Sequence, residues 1–177
     1  MKKVAVFAGG CFWCTEAVFN MLNGIISAKP GYTGGTVKNP TYEQVSSEET
    51  GHAEAIQIEF NPEKISYKDL LTIFFASHDP TQMNRQGADI GEQYRSAVFY
   101  VDEEQKEMAE EYIDELKSGG IPVVTKLEAF TTFYEAEDYH KNYFEKNKDA
   151  RYSRVIISPK LEKVQRRFQD LLKEKRK

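Results

Sequence analysis

The feature that most constrains the fold is an abrupt change of pattern close to the N terminus. Residues 4–8, Val-Ala-Val-Phe-Ala, form an unbroken apolar run, which is typical of a buried strand. Gly9 and Gly10 follow at once, and from Phe12 onward the apolar residues recur at helical spacing. Glycine allows the backbone to turn there without steric cost. The sequence therefore predicts a strand that turns directly into a helix, with Cys11 at or near the helix N-cap.

Cys11 and Cys14 are the two cysteines of the chain, and both lie at this junction. Unpaired amide groups and the positive end of the helix dipole would face the Cys11 sulfur, so we expect a lowered pKa that favours the thiolate. A Cys-x-x-Cys spacing on a first helical turn places both sulfurs on one side, within reach of a disulfide. Two alternatives stay open: a pair of small buried residues, or half of a zinc site completed by His52, His78 or His140.

Length and composition predict a single domain over residues 1–177. Hydrophobic residues make up 40% of the chain, enough for a core without disulfide cross-links. The net charge of −4 implies no affinity for nucleic acid, and no apolar run has the length of a membrane span. The apolar run after Met1 is too short for a signal peptide. Two cysteines of functional character fit a reducing compartment, so we expect a cytoplasmic protein, and nothing suggests more than a monomer.

Strand and helix patterns alternate along the rest of the chain. Strands are predicted at 25–32, 52–60, 96–101 and 121–130. Helices are predicted at 66–78, at 103–116, in an aromatic segment within 133–144, and from about 159 through Leu172, with a charged, solvated end at 173–177. This order predicts an α+β fold: a two-layer α/β sandwich with a mixed sheet and a ferredoxin-like, split βαβ core. The pattern does not reveal the order of the strands in the sheet.

Two long polar loops, 37–51 and 81–95, interrupt this alternation. The first has the pattern of one helical turn at residues 42–46. The second is rich in glycine and contains Asp89 and Tyr94. Long loops within a compact domain are often functional, so both are candidates for a site, although an ordinary solvated loop remains the alternative for the second.

Glu54 lies on the apolar face of the strand predicted at 52–60, together with Ile56, Ile58 and Phe60. A carboxyl group held against a core has a raised pKa, because burial disfavours its charged form, and it can then donate a proton near neutral pH. Alternatively, Glu54 sits at the open end of the strand and reaches water. The alternation alone leaves both interpretations open.

Several separated motifs together resemble the A-type peptide methionine sulfoxide reductases. They are Gly-Cys-Phe-Trp at 10–13, Gly-Tyr-Thr-Gly-Gly at 31–35, Asn-Pro-Thr-Tyr at 39–42, Gly-His-Ala-Glu at 51–54, His-Asp-Pro at 78–80, Gln-Tyr-Arg-Ser at 93–96 and Phe-Tyr-Glu-Ala-Glu-Asp-Tyr-His at 133–140. The resemblance runs from about Val4 to about Tyr152, and the motifs occur in the family's order. It implies an oxidoreductase that repairs oxidised proteins by reducing the S-epimer of methionine sulfoxide, peptide-bound and also free, without a bound cofactor.

The resemblance also implies residue roles. The Cys11 thiolate would attack the sulfoxide sulfur and become a sulfenic acid, while Glu54 protonates the sulfoxide oxygen. Tyr42 and Tyr94 would hold that oxygen by hydrogen bonds.

Three further residues would bind the substrate. Phe12 and Trp13 would form the apolar pocket for the methyl group on the sulfur, and Asp89 would support substrate binding. A thiolate attack needs such an arrangement, because the sulfoxide oxygen leaves poorly unless it is protonated.

The chain departs from the family's common pattern at Cys14, which stands where glycine is frequent, and it has no cysteine near the C terminus. A family subgroup with Gly-Cys-Phe-Trp-Cys is similar. Cys14 is then the only intrachain group that could resolve the sulfenic acid, as a Cys11–Cys14 disulfide. The family implies thioredoxin as the reductant of that disulfide, and we expect the tail beyond Ser158 to be dispensable for recycling.

Two other functions compete with this interpretation. A thioredoxin-like dithiol-disulfide oxidoreductase shares the strand, the Cys-x-x-Cys and the helix, but it usually has another strand and helix before the motif, and only ten residues precede Cys11 here. A non-catalytic, aromatic-rich peptide-binding module would make both cysteines incidental.

Overall fold

The computed structural model describes residues 1–174, and a six-stranded sheet lies at its centre. The strands, in chain order, are β1 (Lys3–Gly9), β2 (Ile25–Thr33), β3 (Ala53–Phe60), β6 (Ser96–Tyr100), β7 (Lys126–Ala129) and β8 (Tyr134–Glu135). They lie side by side in the order β7-β6-β1-β3-β2-β8. A separate hairpin consists of β4 (Arg85–Gln86) and β5 (Asp89–Ile90).

The four strands β6-β1-β3-β2 pair antiparallel, and β7 joins β6 in parallel, which makes the sheet mixed. A helix connects β1 to β2 and another follows β3, so the core is a split βαβ arrangement. The predicted α+β fold with a ferredoxin-like core is confirmed. The structure gives the order of the strands, which the sequence pattern did not reveal. β1 lies between β3 and β6, with Phe7 opposite both Ile56 and Val98.

The helices are α1 (Phe12–Asn20), α2 (Tyr42–Ser46), α3 (Tyr67–Ser77), α4 (Glu103–Ser118), α5 (Tyr143–Lys146) and α6 (Ser158–Arg167). The predicted N-cap of α3 is confirmed, because the Ser66 hydroxyl accepts the Asp69 N–H at 3.1 Å and Asp69 accepts the Ser66 N–H at 2.9 Å. Within residues 1–174, no helix is both long and apolar enough to cross a membrane.

The two faces of the sheet are covered differently. On one face, Phe7, Ile56 and Ile58 pack with residues of α1, α3 and α6 into the main core. On the other face, β-strand residues such as Val6, Ala55 and Phe99 pack under the chain around Phe130 and Phe133. Glu54 follows the alternation of Ile56 and therefore belongs to the helix-covered face.

Three predicted elements differ from the structure. The strand expected at 121–130 covers only Lys126–Ala129, because Val123 is buried in the main core and the Val124 N–H bonds to Pro80 instead of β6.

The expected aromatic helix at 133–144 is divided into β8, a 3-10 turn and α5. Asn142 has a left-handed backbone (φ 53°), which interrupts any continuous helix there.

The C-terminal helix begins earlier and ends earlier than predicted. Helical structure starts at Arg151, passes through a π-helical turn at Ser153–Ile157, and ends at Arg167. Leu172 is not helical; it forms a β-bridge with Leu22, and the Lys173 N–H donates to the Met21 carbonyl. The helix that was expected to continue into the tail at 173–177 therefore ends before Lys173, and residues 175–177 of that expected helix end lie outside the described residues.

Candidate active site

Cys11 occupies the N-cap of α1, at the end of β1, as the sequence predicts. The Cys14 N–H donates to the Cys11 carbonyl at 3.1 Å, which closes the first turn of the helix between the two cysteines. Both thiols are free, and both side chains are buried. Gly10 has a left-handed backbone (φ 92°) directly before Cys11, and an added side chain there would meet Gln86, so the turn requires glycine.

A cavity of about 170 Å³ opens over Cys11. It is lined by Cys11, Phe12, Trp13, Tyr42, Glu54, Asp89, Tyr94 and Tyr152. The structure thus brings together every predicted site residue except Cys14, which lies buried one helical turn away on α1. Residues from α1, β3 and both long loops meet here, which explains why a single short window of sequence could not define the site.

Glu54 is buried, with 2% of its surface exposed, so the water-exposed alternative is wrong. Burial is the main cause that raises the pKa of its carboxyl group to about 8; the Phe12 N–H acts to lower the pKa, and the charge of Asp89 acts to raise it. That N–H donates to Glu54 Oε2 at 3.1 Å and fixes the carboxyl group beside the start of α1. At neutral pH Glu54 is therefore mostly protonated and can donate a proton.

The predicted lowering of the Cys11 pKa is wrong for the resting protein. Burial raises the pKa of this thiol well above its usual value, and the negative charges of Glu54 and Cys14 raise it further. The Tyr152 hydroxyl and the Trp13 N–H act in the opposite direction, but they are the smaller effects. Protonation of Glu54 removes one of the charges that oppose the thiolate.

Two tyrosines face the cavity from the two long loops. Tyr42 begins α2, and Tyr94 ends the 3-10 turn that follows β5. Burial is the main cause of a raised pKa in both, and the charge of Glu54 adds to it, so both hydroxyl groups keep their protons and can donate hydrogen bonds.

The Trp13 ring is held from three sides. Its Nε1–H donates to His140 Nδ1 at 2.9 Å, and its ring stacks on Tyr143 with centroids 3.7 Å apart and planes 4° apart. Tyr152 meets it edge-on at 5.6 Å. The His140 ring also lies 4.9 Å from Phe12 and 4.7 Å from Tyr42, so this buried imidazole touches three residues that line the cavity.

Sequence reasoning assigned no role to Tyr152 or Tyr143, and it considered His140 only as a possible zinc ligand. The Tyr152 hydroxyl donates to Asp89 Oδ2 at 2.9 Å and lies 3.8 Å from the Cys14 sulfur. Each of these three residues is more than 120 positions from Cys11, and each belongs to a segment whose helix boundaries were mispredicted. The one available signal was that His140 and Tyr152 fall within the motif resemblance.

The zinc alternative finds no support in the part of the chain that the structure describes, where no cluster of three or more His, Cys, Asp or Glu residues is placed to bind a metal. His52 bonds to Val37 and Gly35, and His78 bonds to Phe74 and Ser96. His140 bonds to Trp13.

The site combines a buried thiol, a carboxyl group that holds its proton, two hydroxyl donors and an aromatic wall. This combination defines a thiol-dependent enzyme that acts on a small, partly apolar group bearing a polar oxygen. The family model for peptide methionine sulfoxide reductase matches residues 3–172. The chain is 53% identical over 170 residues to the peptide methionine sulfoxide reductase MsrA of Picrophilus torridus, covering 95% of this chain and 96% of that protein. It is 55% identical to MsrA of Sulfolobus acidocaldarius, again covering 95% and 96%. The chain belongs to the MsrA family of peptide methionine sulfoxide reductases, and it is an enzyme of that type.

Solved structures agree with this membership. Mxr1 from Saccharomyces cerevisiae in its reduced form superimposes with a TM-score of 0.78 at 35% identity, covering 84% of this chain and 87% of that one. Mxr1 in complex with Trx2 gives a TM-score of 0.54 at 28% identity, covering 80% and 84%. The thioredoxin-like and non-catalytic alternatives are therefore set aside.

Proposed function

We propose that this reductase acts on the S-epimer of methionine sulfoxide, both in peptides and as the free amino acid, through Cys11 as nucleophile. The observation that carries the proposal is the cavity in which Cys11, Glu54, Tyr42 and Tyr94 converge beside an aromatic wall. Phe12 and the held Trp13 ring form an apolar surface that suits the sulfoxide methyl group. Asp89, at the rim, supports binding of the rest of the substrate.

The reductive step transfers the sulfoxide oxygen to Cys11. The thiolate attacks the sulfoxide sulfur while Glu54 donates a proton to the oxygen, and Tyr42 and Tyr94 stabilise that oxygen with hydrogen bonds. The oxygen ends on Cys11 as a sulfenic acid, methionine is released, and Glu54 is left ionised. Because its pKa is about 8, Glu54 regains a proton from solvent at neutral pH.

Cys14 then resolves the sulfenic acid. Its sulfur attacks the Cys11 sulfur, a disulfide forms within the first turn of α1, and the oxygen leaves as water. The hydrogen-bonded turn between Cys11 and Cys14 supports this step, because it keeps the two residues adjacent.

Thioredoxin is the proposed reductant of the disulfide. The support is the structure of the yeast relative Mxr1 in complex with Trx2. A cytoplasmic location, where thioredoxin keeps thiols reduced, stays a prediction from the two free cysteines.

The first experiment measures turnover of peptides that carry either the S- or the R-sulfoxide, with dithiothreitol and then with thioredoxin as reductant. Wild type should reduce the S-epimer only. Cys11→Ser should be inactive, and Cys14→Ser should release one methionine per chain and then recycle poorly. Inactivity of the wild type on both epimers would refute the proposed reaction. Normal recycling of Cys14→Ser with thioredoxin would instead refute only the resolving role of Cys14.

A further inference from the structure

The Tyr152 hydroxyl lies between the Cys14 thiol and the Asp89 carboxylate, which are otherwise on separate elements. Cys14 belongs to α1, Asp89 to the β4–β5 hairpin, and Tyr152 to the helical segment before α6. The hydroxyl oxygen is 3.8 Å from Cys14 Sγ and 2.9 Å from Asp89 Oδ2. The reductive step proposed above does not use this chain of contacts.

The direction of the two hydrogen bonds follows from the chemistry of the groups. The Tyr152 hydroxyl has a single proton, and it donates that proton to Asp89 Oδ2. The Tyr152 oxygen is then an acceptor toward Cys14, and the Cys14 S–H is the donor. The resting protein therefore contains an ordered chain in which Cys14 donates to Tyr152 and Tyr152 donates to Asp89.

We propose that Tyr152 and Asp89 form the proton relay that activates Cys14 for the resolving step. The inference rests on the proposed resolving role of Cys14 and adds the group that removes its proton. As Cys14 attacks, its proton passes to the Tyr152 oxygen and the Tyr152 proton passes to Asp89. Tyr152 then donates to the sulfur instead of accepting from it, which stabilises the developing thiolate.

The step balances without any further reactant. The Cys14–Cys11 sulfur–sulfur bond forms, and the sulfur–oxygen bond of the sulfenic acid breaks. The leaving oxygen takes the proton of Glu54 and departs as water, while Asp89 holds the proton from Cys14. Asp89 is only partly buried at the cavity rim, so solvent can remove that proton before the next cycle.

Cys14 needs such a relay because its surroundings oppose ionisation. Its side chain is 2% exposed, and burial raises the pKa of the thiol. The charges of Asp89 and Glu54 raise it further, whereas Lys160 on α6 and the Tyr152 hydroxyl lower it. Protonation of Asp89 during the relay removes one opposing charge at the moment when the thiolate forms.

The test follows a single turnover without external reductant. Reduced protein is mixed with one equivalent of methionine-S-sulfoxide peptide, and quenched samples are assayed for methionine, for sulfenic acid trapped with dimedone, and for the disulfide. Tyr152→Phe deletes the proton carrier. Asp89→Asn keeps the hydrogen-bond acceptor but removes the base. Tyr139→Phe, which deletes an exposed hydroxyl bonded to Glu137, is the matched control.

We expect both relay variants to release methionine and then to accumulate trapped sulfenic acid. At pH 7 their disulfide should form about a hundredfold more slowly than that of wild type. In Asp89→Asn the rate should recover as pH rises, because hydroxide replaces the lost base, whereas wild type and Tyr139→Phe should show no such dependence. Disulfide formation at the wild-type rate in Asp89→Asn would overturn the relay. Rapid recycling of Cys14→Ser would instead refute the resolving role itself, so the two failures are distinguishable.

Discussion

The orientation of the Trp13 ring is tied to the protonation of one imidazole. An indole N–H can only donate, so the 2.9 Å bond requires His140 Nδ1 to carry a lone pair. Burial lowers the pKa of His140, although the charges of Glu137 and Glu43 oppose this, and the ring is neutral at neutral pH. The proton of the neutral ring is then on Nε2, which lies 3.6 Å from the Glu137 carboxylate.

Two substitutions of His140 should distinguish the effect of its hydrogen bond with Trp13 from the effect of the size of its ring. Asn places a carbonyl oxygen near the position of Nδ1 and should keep the KM for the peptide substrate within about threefold of wild type. Leu leaves the buried indole N–H without an acceptor and should raise KM about tenfold. As pH falls through the lowered pKa of His140, wild-type KM should rise, whereas His140→Asn should stay constant. Equal KM values for the Asn and Leu variants would contradict this account.

Ionisation of Glu54, the proposed proton donor, should lower the free energy of unfolding as pH rises. It binds its proton more tightly in the folded chain, where its pKa is about 8, than in the unfolded chain, where it is 4.5. Its contribution therefore favours folding below pH 4.5 and is lost progressively as pH rises to about 8.

Glu54→Gln removes that ionisation and can keep the bond from the Phe12 N–H. We expect the variant to be inactive as a reductase and yet more stable than wild type at pH 9, by about 5 kcal/mol, with little difference at pH 4. Urea unfolding at both pH values measures this. A stability difference that does not change with pH would show that Glu54 is not held in its neutral form.

At the scale of elements, α6 and the segment after it are structural partners of α1, the helix that Cys11 caps. Leu161 and Val164 of α6 are buried in the main core with residues of α1. The Asn23 N–H donates to Leu171, and the Lys173 Nζ donates to the Asn20 carbonyl at the C-terminal end of α1. Deletion of the residues beyond Ser158, which were expected to be dispensable for recycling, would therefore also remove core side chains that pack with α1.

Point substitutions in α6 test the packing instead. Leu161→Ala should lower the free energy of unfolding by about 2–4 kcal/mol, because it leaves a cavity against α1. Glu162→Ala, on the exposed side of the same helix, should change it by less than about 0.5 kcal/mol. Chemical denaturation gives both values. Equal effects would mean that α6 does not contribute to the core through Leu161.

At the scale of the whole molecule, local patterns predicted more than long-range ones. The strand-to-helix turn at Cys11 and the capped start of α3 depend on neighbouring residues, and both were predicted from the sequence. The position of Tyr42 and Tyr94 opposite Cys11 depends on two loops that meet only in the folded chain, so only the family resemblance indicated it. Tyr152 was missed because nothing local in its segment points to Cys14.

The resting pKa of Cys11 shows the limit of local reasoning most clearly. Its N-cap position was predicted correctly, but the dominant effect, burial beneath loops that are distant in sequence, was not visible from the motif. Glu54 is the opposite case: strand alternation placed it against the core, and only its depth of burial needed the structure.

The short edge strands of the sheet bear on how this enzyme can associate with other proteins. Unfolded segments of other proteins readily add to a free strand edge. The outermost strands here are short: β8 has two residues and β7 has four. Glu135 of β8 is bonded to Lys29 and Lys141, so charge as well as brevity protects that side. These two edge strands themselves therefore offer little backbone for pairing with an unfolded segment.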